Sequence, residues 1–366
     1  MNFKILKSKL SEPLSLLASV AESRQSIPIL SNIFIKAEKD LITLIATDLE
    51  IELSFKIDCD AILEPGETTV SARKIFDLTR SLPDETTLEF MLKENQLIVT
   101  ALKFNGEFAI LPIQDFPVVE IEKFDLETTL NGKVFADLID QTSFAMASQD
   151  VRYYLNGILV EIEGSNVNLV ATDGHRLAWA SETLEKDLEE NKLILPRKSA
   201  LELQKLLNLY PGEVNLSFSS NQILISSDEL RFVSKLIEGN YPDYQKVFPS
   251  GEEQTLKVEK SLIQTALNRA SVLSNEKYRG VKFILSKDNL KICANNPSKE
   301  CAEEEMSVVY SGDDLEIGFN ISYIQESLSV IHNAEVDFVF YGPENSCIIK
   351  NNKNDNLVHV IMPMRL

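Results

Sequence analysis

The sequence predicts an α+β protein of three tandem domains, each with two helices packed on antiparallel sheets. Three observations predict it. Short motifs recur in one order at offsets between 123 and 128 residues. Each period carries two stretches with helical apolar spacing, and alternating or apolar runs suited to strands fill the rest.

The motifs come first because the period rests on them. Ala46-Thr47-Asp48 returns as Ala171-Thr172-Asp173 and, more weakly, as Ala294-Asn295-Asn296. The run VSARK at 70–74 is echoed by ILPRK at 194–198, and GFNIS at 318–322 holds the third place without the basic pair. DFP at 115–117 returns as NYP at 240–242, and Leu111-Pro112 as Met362-Pro363 two periods on. A single three-residue match is chance; an ordered series at a common offset is a repeat. The period far exceeds that of a solenoid, so each unit is expected to be an independent domain, at 1–122, 128–246 and 253–366.

The elements follow the same register. The first helix of domain one shows the stripe Leu10, Leu14, Leu17, with counterparts read at Val134, Leu138, Thr142 and at Leu262, Ala266, Ala270. A second helix is expected at Ile75–Leu82, Ala200–Leu207 and Ile324–Ile331. Strands are expected in LITLIATDLEIELSFKI (41–57), LEFMLKENQLIVTAL (88–102), NLSFSSNQILISS (215–227) and VDFVFYG (336–342).

Composition narrows the function. With 44% hydrophobic and 25% charged residues among 366, the balance is that of a soluble globular protein. No apolar run approaches the roughly 20 residues of a membrane span, and no signal-peptide core is visible, so a cytoplasmic protein is expected. Cys59, Cys293, Cys301 and Cys347 form no C-x-x-C pair, and the three histidines are scattered, so no metal and no cofactor is expected. A net charge of −20 opposes adhesive binding to nucleic acid or anionic membrane. Yet SARKIFDLTRSL (71–82) and PRKSALELQKLL (196–207) are basic, and by themselves they read as solvated helix faces.

Catalytic motifs are absent: there is no phosphate loop, no dinucleotide fingerprint and no nucleophile elbow. Asp173 and His175 in ATDGHRLA (171–178) resemble half of a charge relay. Asp173 has a twin in Asp48, however, while His175 has none, so a turn aspartate bonding backbone amides is the preferred reading. A hydrolase and a monomeric adaptor stand as rivals to a binding protein.

QDVRYYLNG (149–157), ATDGHRLA (171–178), LSNEKYRGVKF (273–283) and VIMPMRL (360–366), together with the triple repeat, resemble the bacterial DNA polymerase III beta subunit family, the DNA sliding clamps. The similarity runs end to end. It implies three repeats of the DNA clamp domain in each chain, forming a ring as a head-to-tail dimer around duplex DNA. The implied role is non-catalytic: tethering the polymerase without sequence specificity and without cofactors. The implied partners are the polymerase III alpha subunit, the clamp loader complex, and other polymerases and repair proteins, all docking through short glutamine- and leucine-containing peptides. Twelve helices at ordinary packing distance would line a bore of roughly 21–28 Å, about the width of a duplex. Encirclement also accounts for the charge, since a threaded ring holds without gripping.

Residue by residue, the resemblance assigns DNA contacts to Arg24, Arg73, Gln149, Tyr153 and Tyr154. Lys74, Arg197 and Lys198 would face the hole if their helices line it. Without the resemblance, Tyr153 and Tyr154 read equally well as packing residues. The implied peptide cleft comprises Leu155, Thr172, Gly174, His175, Arg176, Leu177, Pro242 and Val247. From the third domain and the tail it takes Asn320, Tyr323, Ser346, Val360, Met362, Pro363, Met364 and Arg365. At the subunit boundary Phe108 is expected to meet Val272 and Leu273 of a second copy. Lys246 stands where the family commonly has arginine, and Gly106 where it often has a bulky apolar residue.

Overall fold

The computed structural model describes residues 1–21, 27–117, 119, 123–124, 126–351 and 354–365. Six helices are found among them: α1 (Lys7–Val20), α2 (Ala72–Arg80), α3 (Gly132–Ser143), α4 (Arg197–Leu209), α5 (Lys260–Ser271) and α6 (Ile321–Ser329). They come two to a repeat, as expected. Every described strand pairing is antiparallel, and the strands form four sheets.

The chain packs as two compact units, Met1–Ala136 with Lys198–Leu236 and Asp137–Arg197 with Ile237–Leu366. In the first unit a five-stranded sheet runs Ala61–Glu64, Asn2–Leu6, Thr87–Lys93, Gln96–Ala101, Phe104–Ala109. Its companion has eight strands, in the order Leu126–Asn131, Glu213–Phe218, Gln222–Ser226, Leu230–Lys235, Ile51–Asp58, Leu41–Thr47, Asn32–Glu38, Gly66–Ser71. The second unit holds a seven-stranded sheet, Gly157–Thr172, Arg176–Pro196, Asn354–Ile361, Cys347–Asn351, Glu335–Phe340, Gln254–Glu259, Val309–Tyr310. Its four-stranded sheet runs Cys301–Ser307, Asn289–Asn295, Gly280–Ser286, Leu315–Asn320.

Strands of neighbouring repeats pair directly within each unit. Leu230 pairs with Phe55 and Ser234 with Ile51, so strands of the first and middle repeats share one ladder. Arg176 pairs with Ile361 and Ala180 with Leu357, joining the middle and last repeats likewise. The reason is the edge-strand problem: an unpaired strand leaves a row of amides and carbonyls open, and the next repeat satisfies it.

The helices correct the sequence reading in two ways. The stripe in α3 is wider than the sequence reading and shifted at its start: Val134 is exposed, Leu138 and Thr142 are buried as expected, and Phe135 and Ile139 are buried beside them. The same holds in α5, where Leu262 is exposed, Ala266 and Ala270 are buried as expected, and Ile263 and Leu267 are buried with them. Counted from the helix starts, Leu10 corresponds to Phe135 and Ile263. The second helices also begin three residues earlier than expected, because each leaves its strand without a loop. Arg73, Lys74, Arg197 and Lys198 thus lie in first helical turns, where the backbone dipole disfavours cations. Two carboxylates offset this: Asp77 accepts from Arg73 Nε at 3.0 Å, and Asp48 pairs with Lys198.

Candidate peptide-docking and DNA-contact site

The site grows from one turn. Strand Gly157–Thr172 reverses into strand Arg176–Pro196 through Asp173, Gly174 and His175. Asp173 Oδ1 accepts hydrogen bonds from the backbone amides of His175 (2.9 Å) and Arg176 (3.0 Å). Thr172 Oγ1 donates to the carbonyl of Arg176 at 2.6 Å and accepts from the amide of Gly174 at 3.1 Å. Gly174 has φ +87°, a conformation that residues with a Cβ adopt at a cost. Both oxygens of Asp173 are committed, the second to Arg176 Nε at 3.1 Å, so the carboxylate orients no imidazole. The aspartate is structural, as the twin motif indicates.

Arg176 is 8% exposed, and its guanidinium lies 5.2 Å from the ring centre of Phe144 and 4.4 Å from that of Tyr323. Besides Asp173 it donates to Glu326 and, at 2.7 Å, to the carbonyl of Phe144. This guanidinium is bonded through each of its three nitrogens and stacked on two aromatic rings. Its bonds hold the turn and reach Glu326 in the second half of α6, and its stacking brings Tyr323 of that helix beside the turn. Asn320 caps α6 by accepting from the amide of Ser322 at 2.9 Å. Behind Phe144, at 5.0 Å between ring centres, sits His359, fully buried. Burial holds its imidazole down to about 4 despite a contact of 3.2 Å between Nε2 and the carbonyl of Gln141.

The apolar side of the site is a single cluster. Leu177 and Val360 face each other across paired strands and pack with Leu159, Val170, Ile194 and Tyr244. Tyr154 and Val247 pack against it as partly buried neighbours. Tyr244 anchors the turn Tyr244–Val247 by donating to the buried Glu161 at 2.6 Å, which sets Val247 in place. Pro242 is exposed just ahead of that turn. The tail is held by backbone: the amide of Met362 donates to the carbonyl of His175 (3.0 Å) and that of Met364 to the carbonyl of Gly318 (2.7 Å). Met362 stays 37% exposed, Pro363 is half-buried, and Arg365 is exposed with Glu344 at 3.7 Å. Ser346 lies half-buried beside the strand whose Cys347 pairs with Ile361.

The segment 148–156 adjoins the turn. Gln149 is exposed, with φ +57°. Tyr153 is 57% exposed, and Tyr154 sits edge-on to it at 5.8 Å with its other side in the apolar cluster. Leu155 is buried. The two tyrosines thus divide the alternatives between them: Tyr154 packs, and Tyr153 faces outward. Arg152, which sequence reasoning passed over, is held by Asp150 through Nε (3.0 Å) and Nη2 (2.9 Å) and donates to the carbonyl of Asp173. Arg152 holds the Asp150 carboxyl down to about 2. A cavity of about 630 Å³ opens here, lined by Met146, Asp150, Arg152, His175, Arg197 and Glu326 among others. The sequence signal for Arg152 was the Asp-x-Arg spacing, which matches an Asx-type turn.

The remaining residues lie elsewhere. Arg73 is exposed on α2 of the first unit, with Phe76 beside it at 5.9 Å. Arg24 lies outside the described residues. Arg197 points its Nη1 to the carbonyl of Met146 at 3.2 Å. Phe108 is in the first unit and Val272 and Leu273 in the second, so these three do not meet within a chain unit. No described helix is long and apolar enough to cross a membrane.

Comparison with known proteins fits this geometry. Family profiles for the N-terminal, central and C-terminal domains of the DNA polymerase III beta subunit match residues 1–120, 129–243 and 245–365. The beta sliding clamp of Pseudomonas aeruginosa is 42% identical over 367 residues, and that of Escherichia coli K12 is 37% identical over 366; each match covers 100% of both chains. A crystal structure of the Pseudomonas aeruginosa sliding clamp bound to griselimycin superposes with a TM-score of 0.96 at 42% identity over 100% of both chains. The Caulobacter crescentus polymerase III beta structure gives 0.91 at 30%, again over the full length of both. With three matching domains in order and relatives aligned along their whole length, this chain belongs to the DNA polymerase III beta subunit family, the non-catalytic DNA sliding clamps that confer processivity on the polymerase.

Proposed function

We propose that two copies of this chain close head to tail into a ring around duplex DNA and hold partners by a cleft on each copy. The clamp binds DNA and polymerase partners; the finer assignments are as follows. Arg24, Arg73, Gln149, Tyr153 and Tyr154 contact DNA, with guanidinium groups on phosphates and Tyr153 free to stack. Lys74 accompanies Arg73, whereas Lys198, paired with Asp48, is a weaker candidate. Short glutamine- and leucine-containing peptides of the polymerase III alpha subunit, the clamp loader, other polymerases and repair proteins occupy the cleft from Leu155 to Arg365. The observation that carries the reading is the convergence of Leu177, Val247, Val360 and the tethered tail on the turn 172–176. Apolar side chains beside a tail held by its backbone suit an extended peptide, and flexible Met362 and Met364 suit several partners.

Ring closure is supported by two sheet ends. Phe104–Ala109 ends the five-stranded sheet and Cys301–Ser307 the four-stranded one. Such edges call for cover. Near them Val272 is 78% exposed, beside Leu273, and Phe104 is 40% exposed on the same strand face as Phe108. A Cβ on Gly106 would lie 2.5 Å from Phe104 Cζ and 3.1 Å from Phe108 Cε2, so the two rings fold over the glycine and fill its place. That supports an intact apolar contact despite Gly106.

The test is retention after loading on circular and on linearised DNA. A ring stays on the circle and runs off free ends; equal loss from both overturns encirclement. Native mass should read about 82 kDa, twice the 41.2 kDa chain.

A further inference from the structure

We propose that Arg152 is a positioning residue that couples DNA contact to peptide docking, so that DNA touching the segment 148–156 loosens the turn 172–176 and weakens the peptide. This rests on the DNA-contact and cleft assignments above and adds a link between them that neither contains.

The link is geometric. The guanidinium of Arg152 lies against Gly174: a Cβ there would sit 3.1 Å from both Nη1 and Nη2. Its Nη2 donates to the carbonyl of Asp173 at 3.3 Å. On the other side Asp150 grips it with both carboxylate oxygens, and the same Asp150 Oδ1 accepts from the amide of Arg152 at 2.8 Å. Asp150 is itself seated by Asn156, which accepts from its amide at 3.0 Å and donates to its carbonyl at 2.9 Å. The segment carrying Gln149 and Tyr153 is thus one hydrogen-bonded body whose projecting group is a cation resting on the docking turn.

That cation is not sealed in. The side chain of Arg152 is 47% exposed, and its hydrogen bond to the turn is the long contact to the carbonyl of Asp173. A phosphate brought up by Gln149 and Tyr153 competes for the same N–H groups, and a charge-assisted bond to phosphate is stronger than one to a neutral carbonyl. Drawing the guanidinium off Gly174 uncovers a left-handed glycine, the residue of the turn with the widest allowed backbone conformations. The neighbouring carbonyl of His175 holds Met362, so the tail side of the cleft moves with the turn. Linkage requires the converse: a bound peptide weakens the DNA contact of this segment by the same factor. Partner release is thereby tied to contact between the segment and DNA.

The experiment measures one factor in three proteins. A short fluorescent glutamine- and leucine-containing peptide is titrated with the full dimeric protein, alone and with a saturating primed-template oligonucleotide at low ionic strength. In the wild type, DNA should raise the peptide Kd by about five- to tenfold, within the usual range of coupling between sites. In Arg152→Ala the factor should fall to about one while peptide binding and thermal melting persist; Arg152→Lys, which keeps the charge and loses the fork, should give an intermediate factor. A wild-type factor of one, or an undiminished factor in Arg152→Ala, overturns the coupling. Failure of wild type to bind peptide or DNA at all overturns the underlying assignments instead. A merely structural arginine would change Kd equally with and without DNA.

Discussion

Two turns built on the same motif have different fates. In the first repeat Asp48 Oδ1 accepts from the amides of Glu50 (2.9 Å) and Ile51 (2.7 Å), and Thr47 Oγ1 donates to the carbonyl of Ile51 at 2.7 Å. In the second, Asp173 and Thr172 make the same bonds to His175 and Arg176. Each aspartate then gives its other oxygen to a cation: Lys198 in the first case, Arg176 in the second. The arms differ. Leu49-Glu50-Ile51 sends a buried isoleucine inward, whereas Gly174-His175-Arg176 sends a guanidinium between two aromatic rings and leaves His175 exposed. The lesson is that Thr-Asp supplies the reversal and the three residues after it supply the use.

The comparison breaks hardest at position 176. Arg176→Ala strands Asp173 beside an emptied slot between Phe144 and Tyr323. It should cost about 3 kcal/mol in chemical denaturation, discounted from a fully buried pair because Glu326 is half exposed. Peptide affinity should fall with it. At the matching position, Ile51→Val should cost only about 1 kcal/mol and leave the peptide alone.

Acid separates the two turns next. The folded-state value of His359, about 4, lies below the ordinary 6.5, so its neutral form is the one that folding favours. Its contribution is whole above about pH 6.5 and is lost as pH falls towards 4, up to about 3 kcal/mol. Hydrogen exchange should show the turn 172–176 opening on acidification while the turn 47–51 holds its protection better. His359→Gln should flatten the difference; an unchanged profile would remove His359 as its source.

The smallest effect is in the backbone. Leu49 has φ +78° and Gly174 +87°. Leu49→Gly relieves a left-handed leucine but frees the unfolded chain, so it should be neutral or stabilising by up to about 1 kcal/mol. Gly174→Ala gains strain and meets Arg152, and should cost about 1–2 kcal/mol in thermal melting.

Much of this was legible beforehand, because the signals were local. A turn aspartate needs only its next two or three amides, so Asp48 and Asp173 could be read from spacing alone. Helix existence was equally local, since two helices per repeat follow from apolar spacing. Register was less so: Val134 and Leu262 are apolar but exposed, and periodicity cannot tell a buried valine from a displayed one. The role of Arg176 was read only in part. As a recognition residue it looked free, yet its partners Phe144, Tyr323 and Glu326 come from distant stretches of the chain. Arg152 escaped notice because what distinguishes it is a glycine 22 residues away.

The order of residues was enough to establish the threefold repeat, the antiparallel α+β class, the turn chemistry and, through resemblance, the family. These depend on near neighbours and on periodicity, which a linear chain carries explicitly. Folding alone settled that the repeats share ladders across their boundaries, that Arg176 is caged, and that Arg152 lies on Gly174. Such pairings depend on which edges and faces meet at long range, and hydrogen-bond satisfaction and packing select among many partners of equal local merit.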